Sequence, residues 1–173
     1  QILRAIALYL DLPEDYFDNQ VKFGNSILRP IHYFAIDNPE DIPPNAVRAA
    51  AHGDINLITL LMGASAEGLQ ILRQDGKWIP VTALPNQIVV NVGDMLERLT
   101  NKKMRSTLHR VVNPKEGMWN KPRYSIPFFM HPVSEMDLSC LPSCIDDEHP
   151  KQFEDITAGE FLNQRLREIG LIT

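Results

Sequence analysis

The amino-acid sequence predicts a mainly β fold, an antiparallel double sheet of the jelly-roll kind with flanking α-helices. Three observations carry that expectation. Short runs of β-branched and aromatic residues recur along the chain, and Pro-, Asn- and Gly-rich turn signals separate them. Helical periodicity is confined to the two ends, so the helical crossovers of a parallel sheet are absent between the strands.

In chain order, Leu3, Ile6, Ala7 and Leu10 mark a first helix, and D-L-P-E-D-Y-F-D closes residues 1–18 in a Pro-started turn. Because Gln1 falls directly inside that helical pattern, part of an N-terminal region is expected to be missing. Residues 26–36, S-I-L-R-P-I-H-Y-F-A-I, are rich in β-formers, and N-P-E-D-I-P-P-N at 38–45 is a loop. Strands are then expected at I-N-L-I-T-L-L from Ile55 and at G-L-Q-I-L-R from Gly68. A D-G turn at Asp75-Gly76 leads to K-W-I-P-V-T, and further strands follow at I-V-V-N-V from Ile88, S-T-L-H-R-V-V from Ser106 and R-Y-S-I-P-F-F from Arg123. Near the end T-A-G-E, Thr157 to Glu160, fits a capping box. Phe161, Leu162, Leu166 and Ile169 then line one helical face until Gly170 stops it, and this helix is expected outside the sheets. The expected organisation is an N-terminal helical segment at 1–25, a jelly-roll core at 26–133, and a C-terminal loop and helix at 134–173.

At 173 residues, 44% hydrophobic and 23% charged, with a net charge of −5, the chain is long enough for one domain with a real core. No basic stripe is available to neutralise phosphates; Lys102-Lys103-Met104-Arg105 reads as a solvated strand entry, so no nucleic-acid partner is expected. No apolar run is long enough to span a bilayer and no charged-then-apolar leader opens the chain, so the expectation is a cytoplasmic protein without a membrane partner. The oligomeric state is not legible. Cys140 and Cys144 do not make a disulfide framework, and with His149 they offer only three zinc ligands at poor spacing.

The stretch A-H-G-D-I-N-L-I-T-L-L places His52 and Asp54 two residues apart at the mouth of an apolar run. On a strand, residues i and i+2 share a face and can close on one ion; equally, the two could merely cap the strand. In S-T-L-H-R-V-V, His109 shares a face with Thr107 and Val111, and could be a metal ligand or a hydrogen-bonded core histidine. Two histidines and one carboxylate make the facial triad of non-haem iron oxygenases, which leaves coordination positions open, whereas structural zinc is closed by four ligands. Fourteen positions further, Arg123 and Ser125 share a strand face with Phe129 beyond them. A planar guanidinium backed by a hydroxyl suits the far carboxylate of a dicarboxylate. His32, His131 and His149 lack partners at ligand spacing and read as surface or supporting groups. Trp78 and Trp119 read as packing residues, and alternation leaves Asn91 undecided between pocket and sheet.

Taken together, A-H-G-D-I-N-L-I-T-L-L, G-L-Q-I-L, W-I-P-V, I-V-V-N-V-G-D, L-T-N-K-K-M-R-S-T-L-H-R-V and R-Y-S-I-P-F-F, in this order, resemble the Fe(II)/2-oxoglutarate-dependent dioxygenases of the isopenicillin N synthase-like superfamily. The resemblance covers residues 26–132 and implies a double-stranded β-helix. It also implies that His52, Asp54 and His109 ligate Fe(II), and that Arg123 and Ser125 hold the distal carboxylate of 2-oxoglutarate. Tyr33 matches a tyrosine that contacts this co-substrate, although Phe34 stands where the family usually has Pro. Phe129 falls where a member can stack against its substrate. The implied reaction consumes dioxygen, decarboxylates 2-oxoglutarate to succinate and oxidises a small organic substrate, most often by hydroxylation. Two alternatives stay open on these residues. Isopenicillin N synthase itself and the ethylene-forming aminocyclopropane-carboxylate oxidases share the triad and the R-x-S without using 2-oxoglutarate, and a jelly roll can also serve as a non-catalytic binding module.

Overall fold

A computed structural model of the chain describes residues 1–63, 66–82, 84 and 86–173. Among the described residues nine short strands form two antiparallel sheets. One holds β1 (Ile27–Leu28), β2 (Ile31–Tyr33), β4 (Ile58–Met62), β7 (Ile88–Val92) and β9 (Arg123–Met130); the other holds β3 (Ala49–His52), β5 (Leu69–Leu72), β6 (Trp78–Pro80) and β8 (His109–Val111). In the first sheet β9 is flanked by β4 on one edge and by β1 and β2 on the other, with β7 beyond β4; the second runs β3-β8-β5-β6. From β3 onward the chain passes repeatedly from one sheet to the other, which is the jelly-roll path. Strand alternation is plainest along β9, where Arg123, Ser125 and Pro127 are buried while Tyr124 and Ile126 are exposed.

The helices gather at one end: α1 (Ile2–Tyr9), the single turn α2 (Asp18–Val21), α3 (Asp94–Leu99) and α4 (Ala158–Glu168). The main hydrophobic cluster lies among them. Leu3, Ala7 and Leu10 of the first helical segment, Met95, Leu96 and Leu99 of α3, and Ala158 and Phe161 of α4 meet Phe17, Met136, Leu138 and Leu141. From the sheets this fully buried set draws only Ile58. The core is thus separate from the space between the sheets.

Four expectations need correction. The strand expected from Ser106 begins only at His109. The strand expected from Ile55 begins only at Ile58, because residues 55–57 form the crossing between sheets. Helix α3 was not expected: six residues are too few to display a period, and it forms because Met95, Leu96 and Leu99 are drawn into the core. The basic run 102–105 is a turn and bend rather than a strand entry, with Asn101 and Lys102 at positive φ. Its Lys102 and Lys103 are solvated, lying over the Phe153 and Tyr9 rings.

Cys140 and Cys144 are buried, unbridged core residues, and His149 pairs at the surface with Asp146, Nδ1 to Oδ1, at 2.9 Å. Trp78 packs under the Arg110 guanidinium, and the Trp119 carbonyl accepts from Ile36 N. Helix α4 starts with the expected capping box: the Glu160 backbone N donates to the Thr157 hydroxyl and the Glu160 carboxylate accepts from the Thr157 backbone N. Phe161 reaches the core, whereas Ile169, past the helix end, is exposed. Among the described residues no helix is long and apolar enough to cross a membrane.

Two stability measurements follow. Thr157→Ala removes the cap and is expected to lower stability by about 1 kcal/mol, or roughly 2–4 °C in Tm by calorimetry. His131 is buried at 7% exposure, and burial lowers its pKa from the ordinary 6.5 against the opposing pull of Asp54. In the window below 6.5 the unfolded chain therefore binds a proton that the folded protein does not, so stability falls as pH drops through it. Denaturant titrations between pH 7 and 5 should show this loss in the wild type and a flatter limb in His131→Gln.

Candidate metal and dicarboxylate site

Between the sheets opens a cavity whose walls come from both of them. His52 ends β3, and its strand partner in β8 is His109, so the two rings meet with centroids 4.4 Å apart. Asp54 reaches the same point by a different route from the expected one. It does not share a strand face with His52; it lies in the bend that carries the chain from one sheet to the other. Its Oδ1 stands 3.6 Å from His109 Nε2. One ligand atom from each of His52, Asp54 and His109 fits within a 4.8 Å cluster, and all three residues line the cavity.

Neighbouring groups orient each of these ligand atoms. The His52 Nδ1 faces the Ala50 carbonyl at 2.8 Å, and the His109 Nδ1 faces the Thr107 carbonyl at 3.2 Å. A carbonyl only accepts, so both rings carry their proton on Nδ1 and offer the Nε2 lone pair. Asp54 is 5% exposed, and its Oδ2 accepts from the Thr59 hydroxyl at 2.6 Å and from Asn91 Nδ2 at 2.8 Å. Asn56 Nδ2 in turn donates to Thr59 Oγ1. With Oδ2 occupied, Oδ1 is the oxygen left for a cation.

The backbone of this crossing is held from below by α3. Asp94 N donates to the Asp54 carbonyl at 2.7 Å, and Met95 N is shared between the Ile55 and Asn56 carbonyls. A Cβ on Gly93, at the start of α3, would stand 2.1 Å from the Asn56 carbonyl oxygen, so only glycine permits this approach. The helix that periodicity did not reveal is therefore the floor of the cluster.

At the other end of the cavity stands Arg123, 1% exposed. Its Nε donates to the Ala66 carbonyl at 3.3 Å, its guanidinium lies 5.2 Å from the Tyr33 ring centroid, and its Nη1 has no partner among the described residues. Burial pulls its pKa below the ordinary value, with Arg48 acting in the same direction and Tyr33 against it. A buried cation with an unmet N–H is costly unless an anion meets it. Tyr33 is the register partner of Arg123 across β2 and β9, Ser125 follows on the same buried face, and both line the cavity. Phe129 also lines it, opposite Thr59.

Thr59 and Asn56 were missed because nothing local separates them from other strand-edge polar residues; only the fold turns them toward Asp54. Asn91, undecided by alternation, faces the cavity. His32 is exposed and stacks on Tyr124, whereas His131 is buried and its Nδ1 is unpartnered among the described residues.

Comparison with known proteins points one way. The family model "2OG-Fe(II) oxygenase superfamily" matches residues 25–132. The kihadalactone A synthase of Citrus sinensis is 37% identical over 175 residues, covering 98% of this chain and 51% of that protein. Among solved structures, a 2OG-Fe(II) oxygenase family protein from Caulobacter crescentus superposes with a TM-score of 0.87 at 51% identity, over 97% of this chain and 53% of its own. A full-length Neurospora crassa protein in complex with alpha-KG and thymine superposes with a TM-score of 0.89 at 38% identity, over 97% and 51%. The chain thus spans about half the length of the curated relatives it matches.

Loss of the Thr59 hydroxyl should release the Asp54 carboxylate. In titrations with Fe(II) under anaerobic conditions, Thr59→Val is expected to bind roughly 10- to 100-fold more weakly than wild type, with Thr59→Ser close to wild type.

Proposed function

Because the chain belongs to the 2OG-Fe(II) oxygenase superfamily, we propose that it couples oxidative decarboxylation of 2-oxoglutarate to the oxidation, in the first instance hydroxylation, of a small organic substrate. The observation that carries this reading is one cavity with an open two-histidine, one-carboxylate cluster and, apart from it, a buried guanidinium whose Nη1 is unmatched among the described residues. The donor set suits Fe(II) and leaves coordination positions free, unlike a closed structural zinc site. His52, Asp54 and His109 are the proposed iron ligands. Arg123 and Ser125 hold the distal carboxylate of 2-oxoglutarate, Tyr33 flanks that carboxylate, and Phe129 faces the substrate.

Bound Fe(II) and 2-oxoglutarate supply the redox chemistry: dioxygen and the 2-oxo acid give succinate, carbon dioxide and one oxygen atom for the substrate C–H bond. The chain's own residues orient and insulate. Arg123, fixed by β9 alternation, would hold the far carboxylate of the co-substrate with its guanidinium. Thr59 and Asn91 hold Asp54 Oδ2 and leave Oδ1 facing the cluster, and the apolar walls limit water around the reacting atoms. The working domain in this reading is the core at 26–133, carried between the N-terminal helical segment 1–25 and the C-terminal segment 134–173. A structural neighbour in complex with alpha-KG and thymine supports a small molecule as the second ligand of such a cavity. The unbridged Cys140 and Cys144 accord with a reducing, cytoplasmic setting.

Anaerobic Fe(II) loading followed by 2-oxoglutarate should produce the weak visible charge-transfer band of a 2-oxo acid chelated to iron. His109→Ala should lose iron, while Arg123→Ala should keep it and need far more 2-oxoglutarate to develop the band. No band in iron-replete protein would overturn the 2-oxoglutarate assignment in favour of an iron oxidase that binds its substrate through Arg123.

A further inference from the structure

The co-substrate end of the cavity is braced by a cation that stands behind its wall. Arg48 immediately precedes β3, and its guanidinium carbon lies 5.8 Å from the centroid of the Tyr33 ring, which does line the cavity. We propose that Arg48 is a positioning residue for 2-oxoglutarate: it keeps the Tyr33 ring against the Arg123 guanidinium and so sets how tightly the far carboxylate is bound. The inference rests on the function proposed above.

Tyr33 and Arg123 form the last register pair of β2 and β9. Past that pair the two segments are joined by Ile36 N, which donates to the Trp119 carbonyl at 2.8 Å, and by Arg48. Arg48 Nη2 donates to the Phe34 carbonyl at 2.9 Å and, more weakly, to the Lys121 carbonyl at 3.5 Å. The first carbonyl belongs to the residue after Tyr33 and the second to the residue two before Arg123. One guanidinium therefore pins the end of the ladder and lies against the ring beside it. A planar fork of donors can do both at once, whereas a lysine ammonium is a single point of charge.

The Tyr33 ring thus has two cations close to it, Arg123 at 5.2 Å and Arg48 at 5.8 Å from its centroid. Each is attracted to the ring, and the two repel each other. Burial lowers the pKa of Arg48 and Tyr33 opposes it; Arg123 is lowered by burial as well, with Tyr33 opposing and Arg48 adding to the effect. The ring is what makes their closeness tolerable. Tyr33 is only half-buried, so without Arg48 its ring is free to leave Arg123 for solvent. Arg123 would then lose one wall of its seat while its Nη1 still waits for an anion. A donor fixed before its ligand arrives binds more tightly, because less side-chain freedom is lost on binding.

The test follows the charge-transfer band of the full chain loaded anaerobically with Fe(II). Two ligands are titrated to saturation: 2-oxoglutarate, and 2-oxopentanoate, in which a methyl group replaces the far carboxylate. Arg48→Gln should bind 2-oxoglutarate roughly 3- to 30-fold more weakly than wild type, while its affinities for 2-oxopentanoate and for Fe(II) change by less than about twofold. In a Tyr33→Leu background the same substitution should cost less than about twofold, because the ring through which it acts is gone. Arg48→Lys keeps the charge without the fork and should show a smaller loss with the same selectivity. The inference is overturned if both Arg48 variants bind 2-oxoglutarate as tightly as wild type, if 2-oxopentanoate weakens equally, or if the losses at Arg48 and Tyr33 simply add. Any of these patterns, read on a wild type that shows the 2-oxoglutarate band, leaves the proposed function standing. No band in the wild type overturns that function and this inference with it.

Discussion

The arrangement depends on one buried carboxylate. Asp54 sits where the chain leaves one sheet for the other, a place where backbone groups lose their ladder partners. The N-terminus of α3 meets those carbonyls from below, while Thr59 and Asn91 meet the side-chain oxygen from the facing sheet. A carboxylate in low dielectric is tolerated only when its lone pairs are met. Satisfying Asp54 therefore ties together the crossing, the helix and the adjacent strands β4 and β7.

The same constraint explains why the hydrophobic core lies to one side. A jelly roll packed fully between its sheets would have no cavity. Here the fully buried apolar residues cluster around α1, α3 and α4, leaving the space between the sheets to His52, Asp54, His109, Arg123 and Ser125. The helical end gives the crossing a rigid base, so the ligand atoms are held by packing they do not themselves contribute. Arg123 Nη1, unpartnered among the described residues, fits this division, since an unmet buried donor is tolerated where a ligand completes it and the core elsewhere supplies the stability.

What the sequence determined by itself are features with a short period or a local hydrogen-bond code. Alternation along R-Y-S-I-P-F-F put Arg123, Ser125 and Phe129 on one face, the Thr157 capping box started α4, and the turn residues divided the strands, because each involves neighbours within a few residues. The tertiary structure alone decided that His52 and Asp54 meet across a bend rather than along a strand, and that Thr59 and Asn91 close on the same oxygen. It alone drew residues 94–99 into a helix and brought Arg48 over Tyr33. Those contacts join residues from different strands and different sheets, and their partners are chosen by register and crossing path, for which no local pattern in the chain encodes a signal.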